Sequence, residues 1–118
     1  MATSINVTPY ATNFQSTIVK VEEVPLAGLT GVTGTTGSLY AMRLVNGAGA
    51  TRYMALENSG SFTANAADIM IPIAATTTMV VYIDIGATFD VAFTVQAATS
   101  SDNTGDPGAD VDATLFIS

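Results

Sequence analysis

Along much of this chain apolar and polar positions alternate with a period of two, the signature of a strand that buries one face. The pattern is clearest at Phe89 to Ala97, where Phe89, Val91, Phe93, Val95 and Ala97 share one side and Asp90, Ala92, Thr94 and Gln96 the other. It predicts a single half-buried strand. Val111 to Ile117 repeats the pattern, with Val111, Ala113, Leu115 and Ile117 opposite Asp112, Thr114 and Phe116. Phe116 is the odd member, an aromatic on the polar side. Ile69, Ile71 and Ile73 alternate around Met70 and Pro72, and because proline has no ladder donor this strand is predicted at a sheet edge. Met79 to Ile85 is nearly continuous in apolar residues and reads as a central strand. Weaker signals at Ile5 to Thr8 and Thr17 to Val24 complete the set, and Thr63 to Asp68 reads as one helical turn.

Between Leu39 and Asn58 two apolar, aromatic-bearing runs flank the loop Gly47-Ala48-Gly49-Ala50-Thr51, which predicts a hairpin. With Asn46 opposite Arg52, Leu44 faces Met54 and Met42 faces Leu56, so both strands gather their apolar residues on one side. The other side then carries Arg43, Val45, Tyr53, Ala55 and Glu57. Eight strand candidates joined by Gly, Asn and Ser-rich turns predict an all-β fold, a two-sheet β-sandwich of the jelly-roll or Greek-key kind.

Composition strengthens that reading and removes several functions. The 118 residues make one domain, with residues 1–15 reading either as a frayed terminus or as an arm that reaches a neighbour. Thr and Ala contribute 18 residues each, and threonine, β-branched with a hydroxyl, suits the solvent face of a strand. Only 11% of residues are charged while 48% are hydrophobic, so polarity comes chiefly from hydroxyls and amides. The net charge of -7, from 3 cations and 10 carboxylates, argues against nucleic acid as a partner. There is no His and no Cys, which excludes the usual zinc sites, thiol chemistry and imidazole bases, so no catalytic residue and no cofactor is expected. No apolar stretch approaches the roughly 20 residues of a membrane-spanning helix. The opening residues lack the charged start and apolar run of a secretory signal, so the chain is expected to act where it is made or within an assembly.

Three segments carry candidate chemistry. Gly28, Gly31, Gly34 and Gly37 recur every three residues, the spacing of a collagen-like strand, but three triplets without proline are too few to hold a triple helix, so a glycine-rich loop is the favoured reading. Asp102, Asp106, Asp110 and Asp112 lie in an acidic loop whose oxygen ligands suit calcium, but the spacing is not that of an EF-hand and a solvated turn is expected, with no requirement for metal. Asp84 and Asp90 flank Gly86 as a carboxylate pair of the kind glycosidases use, without any substrate-stacking Trp. The candidate partner-interface residues are Tyr10 and Phe14, apolar members of the N-terminal arm, together with Arg43, Arg52 and Tyr53, since Arg and Tyr are enriched where binding energy concentrates. An exposed diagonal pair between Arg43 and Glu57 is the simpler account of Arg43.

The opening Met1-Ala2-Thr3-Ser4, the strands rich in Thr, Ala and Gly, and the stretch from Phe89-Asp90-Val91-Ala92-Phe93-Thr94-Val95 to Asp112-Ala113-Thr114-Leu115 together resemble the capsid decoration, or cement, proteins of tailed bacteriophages. The likeness is one of style along the whole chain and carries no diagnostic motif, so no functional residue transfers by position. It implies a small β protein, made in the host cytoplasm, that sits on the virion exterior and bridges neighbouring subunits of the major capsid protein. A homo-oligomer is expected, a trimer on the glycine triplets and otherwise a dimer. The alternative class is a carbohydrate- or receptor-binding β-sandwich module, with an enzyme third.

Overall fold

The computed structural model describes residues 3–9, 17–30, 37–62, 67–89 and 91–117. Within them the chain forms nine strands and no helix: β1 (Ser4–Pro9), β2 (Thr17–Glu22), β3 (Leu29–Thr30), β4 (Gly37–Asn46), β5 (Arg52–Asn58), β6 (Ile69–Ile73), β7 (Thr77–Phe89), β8 (Phe93–Ala98) and β9 (Val111–Ile117). One sheet has five strands in the order β1-β2-β9-β4-β7 and the other has four in the order β3-β8-β5-β6. Every neighbouring pair is antiparallel. With β1 set aside, this is the strand order of a jelly roll, in which the chain passes repeatedly from one sheet to the other. The all-β sandwich is therefore as the alternation predicts.

The core lies between the sheets. Val19 and Val21 of β2, Leu39, Met42 and Leu44 of β4, and Val111, Ala113, Leu115 and Ile117 of β9 meet Met54 and Leu56 of β5, Ile73 of β6, and Val95 and Ala97 of β8. Strand β9 alternates buried and half-buried residues along its whole length. Its inward set is the one its sequence pattern selects. A bulge at Tyr40 interrupts the pairing of β4 with both neighbours, so Leu39 and Met42 both point inward although three positions separate them. Strand β6 lies at a sheet edge, where Pro72 withholds no ladder bond.

Four expectations are corrected. Strands β4 and β5 do not form a hairpin: β4 pairs with β7 and β9, whereas β5 pairs with β6 and β8 in the opposite sheet. Met42, Leu44, Met54 and Leu56 are indeed buried together, but across the sandwich rather than side by side. Facial pattern alone satisfies both arrangements. Second, Phe89 to Ala97 is not one strand, since β7 ends at Phe89 and β8 begins at Phe93 in the other sheet. Nor is β8 half-buried, because Thr94 and Gln96 are as inaccessible as Val95 and Ala97. Third, the apolar run Met79 to Ile85 belongs to an edge strand, β7, and not to a central one. Fourth, the collagen-like spacing fails at both described ends: Gly28 turns with φ +81, and Gly37 pairs with Phe89 in an antiparallel sheet. Gly31 and Gly34 lie outside the described residues, as does most of the segment read as a helical turn, of which Ala67 and Asp68 are not helical.

Candidate functional site

The two outer faces of the sandwich differ. On the four-stranded sheet, Val95 and Ala97 of β8 and Met54 and Leu56 of β5 face the core, so Thr94, Gln96, Ala98, Ala55 and Glu57 face outward, yet all five are buried. Two loops cover them. The loop between β8 and β9 folds back so that Gln96 Nε2 donates to the Asn103 carbonyl at 3.0 Å, and Asn103 Nδ2 reaches Met70 Sδ at 3.4 Å. Gln96, Ala55 and Met70 are consecutive partners across β8, β5 and β6, so Asn103 spans that row. It does so with a left-handed backbone, φ 65, which Asn tolerates better than most side chains. The turn after β5 covers the neighbouring row, where Thr94 Oγ1 donates to the Ser59 carbonyl at 2.6 Å. Phe62 packs there so closely on Gly28 that a Cβ at that glycine would lie 2.7 Å from Phe62 Cβ.

Among the described residues no such cover lies on the five-stranded sheet. Ile18, Phe116, Ala41 and Tyr82 are consecutive cross-strand partners on its outer face, and Lys20, Thr114, Arg43 and Val80 form the next row. Ala41, Arg43, Val80, Tyr82 and Phe116 line a shallow groove of about 280 Å³. Tyr82 is 76% exposed, Val80 48% and the bulged Tyr40 42%. Burying such side chains stabilises a contact by about 1.5–3 kcal/mol each for aliphatic or aromatic residues of this size. Val91, Met70 and Ile5 are also exposed, but here the apolar residues form a contiguous row, which makes this face the candidate interaction surface.

Its electrostatics are distinctive in so acidic a chain. Two of the three cations, Lys20 and Arg43, stand on this face. Lys20 meets Glu22 at 3.2 Å in an exposed pair that contributes little. Among the described residues Arg43 has no carboxylate partner, so its guanidinium is available over an apolar floor. The diagonal pair with Glu57 does not exist, because Glu57 is buried on the opposite sheet.

The sequence-predicted interface residues are thus separated. Arg43 and Tyr53 lie on different sheets, with Tyr53 opposite Pro72 and Ala98 on the roofed side, so they do not make one patch. Arg52 is tied to Asp110 at 3.0 Å and donates to the Thr51 carbonyl, pinning the start of β5 to the start of β9. Tyr10 and Phe14 lie outside the described residues. Val80 and Tyr82 are not among the predicted interface residues because their apolar run reads as a central strand, although Phe116, an aromatic on the polar side of its strand, points to this face.

The acidic loop spends its carboxylates locally. Asp102 accepts hydrogen bonds from Ser100 Oγ and Thr104 Oγ1, which hold its carboxyl below the usual range. Asp106 accepts from the Gly108 amide, Asp110 meets Arg52, and Asp112 accepts from the Glu23 amide at 2.8 Å. Among the described residues no three His, Cys, Asp or Glu side chains converge as metal ligands would. Asp90 lies outside the described residues, and so does the side chain of Asp84. Comparison with protein-family models, curated proteins and solved structures finds no match.

Proposed function

We propose that this protein is a structural virion component that decorates and stabilises the outside of a phage capsid, docking through the open face of its five-stranded sheet and bridging neighbouring capsid subunits. The observation that carries a docking role is the contrast between the two faces: one sheet is roofed by its own loops, and the other presents an apolar row with an available Arg43. Such a surface suits lasting contact and not turnover, with Tyr82 and Arg43 as anchors of the kind on which binding energy concentrates. The capsid as partner rests on the resemblance of the sequence to decoration proteins. Jelly rolls serve in viral capsids and also in lectins, so the fold is compatible with the role without assigning it.

The test is to add purified protein to phage heads that lack their decoration layer. Saturable, stoichiometric uptake is expected, and absence of uptake would overturn the reading. A carbohydrate- or receptor-binding role is the second reading, favoured by the exposed rings of Tyr40 and Tyr82. Selective binding to members of a glycan array, without uptake by capsids, would establish that reading instead.

A further inference from the structure

A sheet edge offers unpaired backbone donors and acceptors to any strand that approaches, and proteins usually blunt such edges. Three of the four edges here are blunted. Strand β6 carries Pro72, β1 carries Pro9, and β3 spans 2 of the described residues. The fourth, β7, is the longest strand at 13 residues and contains no proline. From Thr77 to Tyr82 it pairs residue for residue with Asn46 to Ala41, so this stretch is a regular strand with one side joined to β4. Its other side meets no strand among the described residues. Its outward side chains, Val80 and Tyr82, are two of the most exposed large apolar residues of the molecule.

We infer that β7 is a self-association edge, and that its occupant is the β7 of a second copy of this chain, paired antiparallel about a two-fold axis at Val81. The segment is self-complementary. In that register Val80 of each copy opposes Tyr82 of the other, an aromatic against a β-branched residue on the outer face, and Met79 opposes Ile83 on the core side. Charge selects the same segment. Each copy carries a net -7, which opposes most self-contacts, but Thr77 to Ile83 contains no charged residue. The nearest cation, Arg43, stands one strand in from the edge beside Val80, so the two guanidiniums are separated by three strand spacings, about 14 Å, beyond the screening length. A two-fold pairing is isologous and closes at a dimer. It joins two five-stranded sheets into one of ten and places two copies of the apolar row on a single surface. The inference does not depend on what that surface docks against.

Sedimentation of the purified full chain at micromolar concentration, without capsids, tests it directly. A dimer is expected, and Val80→Lys, which places an ammonium at the edge opposite each Tyr82, is expected to give a monomer with the parent's far-ultraviolet spectrum. Because the chain has no native cysteine, cross-linking reports the register independently. Facing strand residues lie about 4.5–5.5 Å apart, within the span of a disulfide. With oxidised glutathione as the oxidant, a mixture of Val80→Cys and Tyr82→Cys proteins is expected to form mixed disulfide dimers at least roughly tenfold faster than Ser61→Cys, an exposed position away from the edge. A monomeric parent, a Val80→Lys dimer as tight as the parent, or cross-linking no faster than at position 61 would each overturn the inference, and none of these results bears on capsid uptake.

Discussion

At the scale of single residues, polar side chains carry most of the specificity. Asn46, 1% exposed at the end of β4, donates from Nδ2 towards the carbonyls of Ala50, Ile73 and Ala74 and accepts from the Ala48 amide. One amide thereby ties the five-stranded sheet to the loop and to β6 across the sandwich. Asn46→Ala removes the side-chain partner of one buried and three part-buried backbone groups, and a loss of about 2–4 kcal/mol is expected, read as a reduced midpoint in urea with an unchanged slope. Asp102 gives a pH dependence. Its carboxyl is held low by Ser100 and then by Thr104, so the folded value lies below the unfolded one near 3.9. The contribution is therefore complete above about pH 4 and lost as pH falls through the folded value. In an NMR titration Asp102 is expected to protonate at lower pH than an unperturbed aspartate; an ordinary midpoint would contradict the hydrogen-bonded loop. Asn46 was legible only as the last residue before a turn. Its role depends on β6, which the chain reaches more than twenty residues later.

At the scale of elements, the alternation of the sequence shows which side of a strand faces the core but not which sheet the strand joins. Val111 to Ile117 and the Pro72 edge were legible for that reason, since each depends on local pattern and local backbone chemistry. The β4–β5 connection was not. A five-residue loop of small residues serves a hairpin or a crossing between sheets equally well, and here Gly47 and Gly49 both lack positive φ while a Cβ at Gly49 would meet nothing within 4 Å. Gly49→Ala is accordingly expected to be neutral or to stabilise by about 0.4–1 kcal/mol through the unfolded chain. Gly28→Ala is expected to destabilise by more than about 1 kcal/mol, because φ +81 and the contact with Phe62 both exclude a side chain. Thermal melts of the two variants check the pair together, and the reverse order would contradict the backbone conformations and packing given for these two glycines. Strand β8 was misread as half-buried because its outward side chains are roofed from segments without an apolar pattern of their own, Gln96 by Asn103 in the loop that follows and Thr94 by Ser59 in the turn after β5.

At the scale of the whole molecule, the jelly roll has one outer face roofed by loops and one that is open among the described residues, and the proposed docking face is the open one. Roof and face are built from different segments, so they are separable by substitution. The most direct measurement is a binding isotherm on undecorated phage heads for the parent, for Arg43→Ala/Tyr82→Ala, and for Tyr53→Ala on the roofed side, each shown by its melt to be folded. The double variant is expected to bind at least roughly tenfold more weakly, a loss of about 1.4 kcal/mol, while Tyr53→Ala binds as the parent does. Equal affinity for the double variant and the parent, or an equal loss from Tyr53→Ala, would contradict the assignment of the open face as the docking surface.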